Sequence, residues 1–229
     1  MKVLAIPDLH APFTHIDAYA FLKTVKQKHK PTTIVCLGDE TDAHALSQYV
    51  ADPDGHSPGH ELAAAIEQLK PLYKLFPDVL VCLSNHGERV FKKAFISGIP
   101  KAYLKGYKEF MQAPTGWHWK ESHTLDGVLY RHGDGLSGAA GALMGAKDIM
   151  RPLVIGHLHS YAGVQYFNNG HAQIFGFNVG CLVDRSKYVF DYAKHSRAKP
   201  TLGCGIIDNG VPMFIPMLLN SNDRWIGTL

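Results

Sequence analysis

The sequence predicts a layered α/β fold. Short apolar runs bounded by turn residues recur along the chain, and segments with helical periodicity alternate with them. Length agrees: 229 residues, 46% of them hydrophobic, suffice for one substantial core. With no internal repeat, low-complexity tract or linker, residues 1–229 read as a single domain.

The first strand is expected over residues 3–6. Thr14 and Asp17 offer a capping box to a helix reaching about residue 28, with Ile16, Tyr19, Leu22 and Val25 or Lys26 on its inner stripe. A second strand is expected over 33–37, then a shorter helix over 42–50 and a loop over 51–59 marked by Asp and Pro. A longer helix is expected over 58–75, with Ser57 as its cap and Pro58 in its first turn. Residues 79–83 form the third strand, and 90–110 look helical but are broken by Ser-Gly-Ile-Pro at 97–100. Trp117-His118-Trp119 alternates like a strand, so both indoles share one face, as core packing requires. Strands over 128–130 and 153–155 bracket a Gly/Ala-rich helix over 137–149. Asn168-Asn169-Gly170 and Asp208-Asn209-Gly210 then mark two hairpins.

Bulk composition narrows the partners. A net charge of +3 gives no global field that demands an acidic partner, so any affinity for nucleic acid must come from a local patch. Cys36, Cys82, Cys181 and Cys204 form no Cys-x-x-Cys pair, and at least two sit inside apolar runs, which reads as buried reduced thiols. The N-terminus reaches an acid too early for a signal peptide, and no stretch approaches the ~20 apolar residues of a membrane span. A soluble, cytoplasmic setting is the expectation.

The 14 histidines are a heavy load, and the residues just beyond each apolar run account for many of them. The run over 3–6 leads into Asp8-Leu9-His10, that over 33–37 into Gly38-Asp39, and that over 79–83 into Ser84-Asn85-His86. Later runs lead into His132-Gly133-Asp134 and Gly156-His157-Leu158-His159. In an extended chain residues i and i+2 point the same way, so His157 and His159 leave their strand facing one spot. The carboxyl ends of strands are where α/β sheets place ligand sites. Taken singly, Asp-x-His and Gly-Asp are ordinary loop chemistry; all five in this order are not. Mixed carboxylate and imidazole donors suit Mn²⁺, Fe²⁺ or Zn²⁺, and the lack of cysteine among them argues against a structural zinc site. Seven side chains exceed one tetrahedral site and suit two metals sharing a carboxylate.

The order Asp-x-His, Gly-Asp, Asn-His, His-Gly-Asp, Gly-His-x-His resembles the calcineurin-like metallophosphoesterases, in the compact form found in bacteria and phages. The match spans roughly residues 8–159, and Asn178-Val-Gly-Cys-Leu182 looks like the strand that succeeds the family's last motif. The resemblance implies a layered β-sandwich of mixed sheets flanked by helices. It implies two divalent metal ions, manganese foremost, with iron, zinc or nickel as alternatives. Asp8, His10 and His159 would hold the first, Asn85, His132 and His157 the second, and Asp39 would bridge them. A metal-bridging hydroxide would attack phosphorus while His86, the general acid, protonates the departing oxygen and Asp42 orients it. One departure is Ser84-Asn85-His86-Gly87-Glu88, where the family writes Gly-Asn-His with an acid directly after it; Glu88 is therefore left without a catalytic role. Arg89 could reach a phosphate oxygen or pair with Glu88 or Asp42. His44, a candidate substrate contact, could line the cleft mouth with His56 and His60 or lie on the surface.

The implied activity is hydrolysis of phosphodiesters or phosphomonoesters, nucleotide-type small substrates first. Two rivals remain. Arg89, Lys92, Lys93, Lys101, Lys105 and Lys108 form a run without an acid, interleaved with Phe91, Phe95, Tyr103 and Tyr107, as a nuclease acting on DNA or RNA would use. The same run also reads as a helical pair with its lysines in solvent. A non-catalytic protein-binding scaffold on the same fold is the second rival, disfavoured because every ligand position and His86 are filled.

Overall fold

The computed structural model describes residues 1–48, 55–187 and 199–229. Its elements run β1 (Lys2–Ile6), α1 (Ala18–His29), β2 (Thr33–Cys36), α2 (Pro58–Leu75), β3 (Asp78–Cys82), α3 (Arg89–Ile96) and α4 (Tyr107–Phe110). They continue through β4 (Gly116–Lys120), β5 (Ser122–Leu125), β6 (Val128–Arg131), α5 (Gly141–Ile149), β7 (Leu153–Ile155) and the hairpins β8 (Gly163–Asn168)–β9 (Gln173–Asn178) and β10 (Gly203–Asp208)–β11 (Val211–Pro216).

Two mixed sheets result, in the orders β11-β10-β1-β2-β3-β4 and β5-β6-β7-β9-β8. In the first, β1 to β4 are parallel and β10–β11 is added antiparallel; in the second, β6, β7 and β9 are parallel between antiparallel edges. The period of two along β1 decides how they stack. Val3 and Ala5 join Val35, Leu37 and Cys82 against Tyr130, Val154 and Phe177 of the other sheet. Leu4 and Ile6 turn the opposite way, into a layer with Phe21, Leu22 and Val25 of α1 and Leu69 and Leu72 of α2. On the outside of the second sheet, Ala142 and Ala146 of α5 pack on Leu153, Ile155 and Ile174. This is the expected layering: sheet on sheet, flanked by helices.

Local expectations fared unevenly. Helix α2 begins and ends where predicted, and Ser57 Oγ accepts the His60 amide. The capping box of α1 is absent: Thr14 Oγ1 donates to Leu9 O, and Asp17, at the cap position, instead accepts from Arg224 Nε and Nη2 and the Trp225 amide. Ile16 is correspondingly 72% exposed, and Ala18 and Phe21 take its place on the buried stripe. Of the helix expected over 42–50, the described residues form only a 3₁₀ turn, His44–Leu46: Ala43 before it is left-handed at φ 49°, and the carboxylate of Glu61 on α2 takes the amides of His44 and Ala45. Residues 49 and 50 of that helix, and 51–54 of the expected loop, lie outside the described residues. Strand β5 was not expected. The indoles of Trp117 and Trp119 do share a face, donating to Phe76 O and Glu40 Oε1.

Candidate active site

The parallel arrangement brings the carboxyl ends of β1, β2, β3, β6 and β7 to one edge, and all seven expected ligand residues meet there. Three groups have ligand atoms within 4.8 Å of one another: Asp8, His10 and His159; Asp39, His132 and His157; and His10, Asp39 and His86. Asn85 joins the second through Oδ1, 2.7 Å from His132 Nε2. Asp39 stands between the sets, its Oδ2 3.5 Å from His10 Nε2 and 3.3 Å from His132 Nε2. His10, Asp39 and His157 have φ of 48°, 46° and 63°, the left-handed region that such residues enter only where surroundings enforce it.

Three of the rings are aimed by their other nitrogen. A carbonyl can only accept, so His132 Nδ1 donates to Leu37 O at 2.9 Å and turns Nε2 inward. His86 Nδ1 donates to Asp42 O at 2.7 Å, which leaves Nε2 facing Asp39 Oδ2 at 4.0 Å. His10 Nδ1 lies 2.6 Å from Asp42 Oδ1, so Asp42 steadies two of the rings, the second also through a 3.2 Å contact with His86 Nδ1.

The donor set fits divalent cations. Burial opposes charge on Asp8 and Asp39, yet His132 and the other imidazoles around them hold both carboxyls below the usual range, that of Asp39 far below. Burial lowers His10 and His157, keeping their ring nitrogens available as ligands. Ring nitrogens crowd one another, His10 Nε2 to His159 Nε2 at 3.2 Å and His157 Nδ1 to His132 Nε2 at 3.1 Å. Asp8 Oδ1 is buried with no hydrogen-bond donor, a costly position for an anionic oxygen unless a cation faces it.

The remaining expected residues divide. Arg89 pairs with Asp42 and not with Glu88: Nη1 donates to Asp42 O at 2.8 Å, Nη2 lies 3.1 Å from His86 Nε2, and Glu88 takes Lys92 instead. Burial lowers the pKa of His86, but Asp39 and Asp42 outweigh burial and the nearby Arg89, for a net rise. His44 lies behind Asp42, its Nδ1 3.9 Å from Oδ2, while His56 and His60 are exposed at the start of α2.

Three supporting residues escaped the sequence. Ser84 Oγ accepts the amides of Asp39 and Gly87, and its Cβ would lie 2.6 Å from a Cβ at Gly38, so the two loops interlock. Asn178 Nδ2 donates to Leu158 O and Tyr161 O, pinning the His157–His159 loop. Glu40, fully buried beside Asp39, is pushed up to about 7 by burial. Asn178 and Ser84, each the first residue after an apolar run, carried a readable signal; Glu40 did not.

Fold and site together define a metal-dependent phosphoesterase architecture: layered mixed sheets with a carboxylate–imidazole cluster at converging strand ends. Residues 1–183 match the calcineurin-like phosphoesterase family, and the chain belongs to it. No curated protein matches the chain. Among solved structures it is similar to Yfce, described as a phosphoesterase from E. coli, at 16% identity and a TM-score of 0.47, covering 99% of this chain and 97% of that one. It is also similar to Vps29 of Chaetomium thermophilum, at 13% identity and a TM-score of 0.47, covering 98% and 93%. At these scores neither likeness bears on function.

Proposed function

We propose that the chain is a dinuclear-metal-dependent phosphoesterase acting on small phosphodiesters or phosphomonoesters, with His86 as general acid. The observation that carries this is the meeting of seven donors and His86 from five strand ends within ligand distance. Asp8, His10 and His159 would hold one divalent ion, and Asn85, His132 and His157 a second, with Asp39 between them. Manganese is the first choice of metal and iron, zinc or nickel the alternatives. Such cations supply Lewis acidity toward phosphate oxygens and acidify water.

The protein's own part is orientation and proton transfer. His86 delivers a proton from Nε2 to the leaving oxygen, with Nδ1 held by Asp42. Donation from Arg89 Nη2 to Nε2 and a proton on Nε2 exclude each other. An oxygen of the substrate phosphate gives the guanidinium its alternative acceptor. His44 is assigned to positioning Asp42 rather than to substrate.

The basic stretch favours the small-ester reading over a nuclease. Lys92 and Lys105 pair with Glu88 and Glu109, Lys108 Nζ donates to Thr115 O, and Lys101 sits over the Phe91 ring. Lys92 and Lys93 do border a small cleft with Asn85 and Arg89, so the nuclease reading stays within the test. A cytoplasmic single-domain protein is part of the proposal, in keeping with four unbridged buried cysteines. Among the described residues no helix is long and apolar enough to cross a membrane.

The test is a panel with Mn²⁺: bis-p-nitrophenyl phosphate, p-nitrophenyl phosphate, nucleotides and single-stranded DNA. Turnover of the esters but not DNA, abolished in Asp39→Asn, is expected. DNA cleavage would support the nuclease, and an Asp39→Asn variant with wild-type activity would refute the assignment. Silence on every substrate with every metal would favour the scaffold.

A further inference from the structure

A cavity of about 550 Å³ opens directly beside His86. Its inner wall is shared with the candidate site: Ala11, Thr41, His86 and Gly87 line it. Its other walls are mostly apolar: Leu46 from the 3₁₀ turn, Leu62 and Ala65 from α2, Val90 and Phe91 from α3, Leu104 from the loop before α4 and Phe110 from α4. Besides His86, the polar side chains among the described lining residues are Thr41, Glu61, Tyr103 and Lys105, and two of them are engaged elsewhere. The Glu61 carboxylate accepts the amides of His44 and Ala45, and Lys105 pairs with Glu109. The volume falls within the range of small-molecule sites, and fixed donors and acceptors are scarce among the described lining residues, which departs from what such a site needs to orient a polar ligand.

The position of the general acid says what the cavity is for. A group that protonates the leaving oxygen must lie on the leaving-group side of the phosphorus, so whatever that oxygen carries projects past His86. We propose that this cavity is the leaving-group subsite, and that the substrate is the phosphoester of an apolar alcohol of ring size or larger rather than of a sugar or a polynucleotide. The proposal rests on the phosphoesterase reading above. Water adds across the P–O bond: the phosphoryl group takes hydroxide, His86 gives its proton to the alkoxide, and the neutral alcohol remains in the apolar cavity until release. A nucleobase or sugar would bring several polar edges into mostly apolar walls that answer few of them, each unanswered one at a cost.

The inference is tested with pairs of monoesters whose leaving groups have similar basicity but different bulk. Ethyl is compared with 2-cyclohexylethyl phosphate and phenyl with 2-naphthyl phosphate, all with Mn²⁺. The larger member should be preferred by about tenfold or more in kcat/KM, since each buried methylene contributes appreciably. Two variants fill the space. Leu62→Trp enlarges a half-buried wall residue, and Gly59→Trp places a side chain where a Cβ meets nothing within 4 Å. Both should collapse the ratio toward one. Independently of turnover, 2-naphthol fluorescence should report binding to the metal-free protein, weakened in both variants. Equal rates within each pair, or adenosine 5′-monophosphate turned over faster than 2-naphthyl phosphate, would overturn the inference while leaving the phosphoesterase reading intact. Absence of naphthol binding would do the same. Failure to hydrolyse any ester would overturn the reading and the inference together.

Discussion

Gly156 makes the sharpest prediction about the metal site, although its own atoms ligate nothing. A Cβ there would lie 2.1 Å from Asp8 Oδ1, almost an ångström inside the closest approach that real Cβ atoms show. Asp8 has little room to retreat. Its Oδ2 accepts the His157 amide at 2.8 Å and sits 2.8 Å from His159 Nε2, while its main-chain carbonyl accepts the Leu182 amide at 2.8 Å. Gly156 is tied as well, its amide donating to His132 O at 3.0 Å. Gly156→Ala therefore forces the buried Oδ1, the oxygen without a donor, out of position. Overpacking of this kind costs about 1–3 kcal/mol of stability, which the fold should survive. Displacing a ligand-bearing carboxylate should weaken metal affinity at least as much as losing an outer partner does, about 10–100-fold. Calorimetric titration of Mn²⁺ into metal-free wild type and variant, beside urea unfolding of both without metal, separates the two effects. A folded variant that binds Mn²⁺ with wild-type affinity would refute the placement of Asp8 in the metal site.

Other expectations concern the scaffold. A Cβ at Gly176 of β9 would meet the backbone of Ala142 and Leu143 at 2.2 Å, so Gly176→Ala should push α5 off its sheet and cost roughly 1–3 kcal/mol of stability or more, read as a lower urea midpoint. The hydrogen bond from Arg224 holds the Asp17 carboxyl down at about 2, against 3.8 in the unfolded chain. Its folded value being depressed, the contribution is present above about pH 3.8 and is lost as pH falls toward 2. Asp17→Asn should thus be less stable than wild type at pH 6 and approach it near pH 2 in urea midpoints measured across that range. Burial pushes all four cysteine thiols up, so Ellman's reagent should titrate essentially none in the native protein and all four in guanidinium.

The range of the interactions involved decides which features the sequence disclosed and which it hid. The apolar run of β1 and the residues just beyond it are neighbours in the chain, so the strand, its end and the donors Asp8 and His10 could be read together. The same holds at β2, β3, β6 and β7, whose parallel pairing then makes the convergence of their ends a matter of topology. Two of the failures involve partners remote in sequence. Glu61 takes two amides sixteen or more positions upstream, where the helix expected from residue 42 is reduced to a 3₁₀ turn. Asp17 abandons its cap for Arg224, 207 residues away. A local pattern cannot announce such a partner.

Asp42 shows how the same limit applies inside the site. Gly-Asp39-Glu-Thr-Asp42 suggested that it orients His86, and it does, but the firmer contact to that ring comes from its main-chain carbonyl. Its carboxylate is spent chiefly on His10, a ligand residue from another strand, at 2.6 Å. One aspartate therefore fixes the ring facing the leaving group and a ring facing the metal position, with Arg89 closing over both its carbonyl and His86. Asp42→Asn keeps the carbonyl and removes the charge, so it should disturb His10, and with it metal affinity, more than the orientation of His86. Asp42→Ala keeps that carbonyl too, and removes the acceptor that faces the buried His10 Nδ1, a cost of roughly 1–3 kcal/mol that the asparagine variant avoids. Mn²⁺ titration and unfolding of the two side by side distinguish these roles: wild-type metal affinity and stability in both variants would mean that the carboxylate does not hold His10.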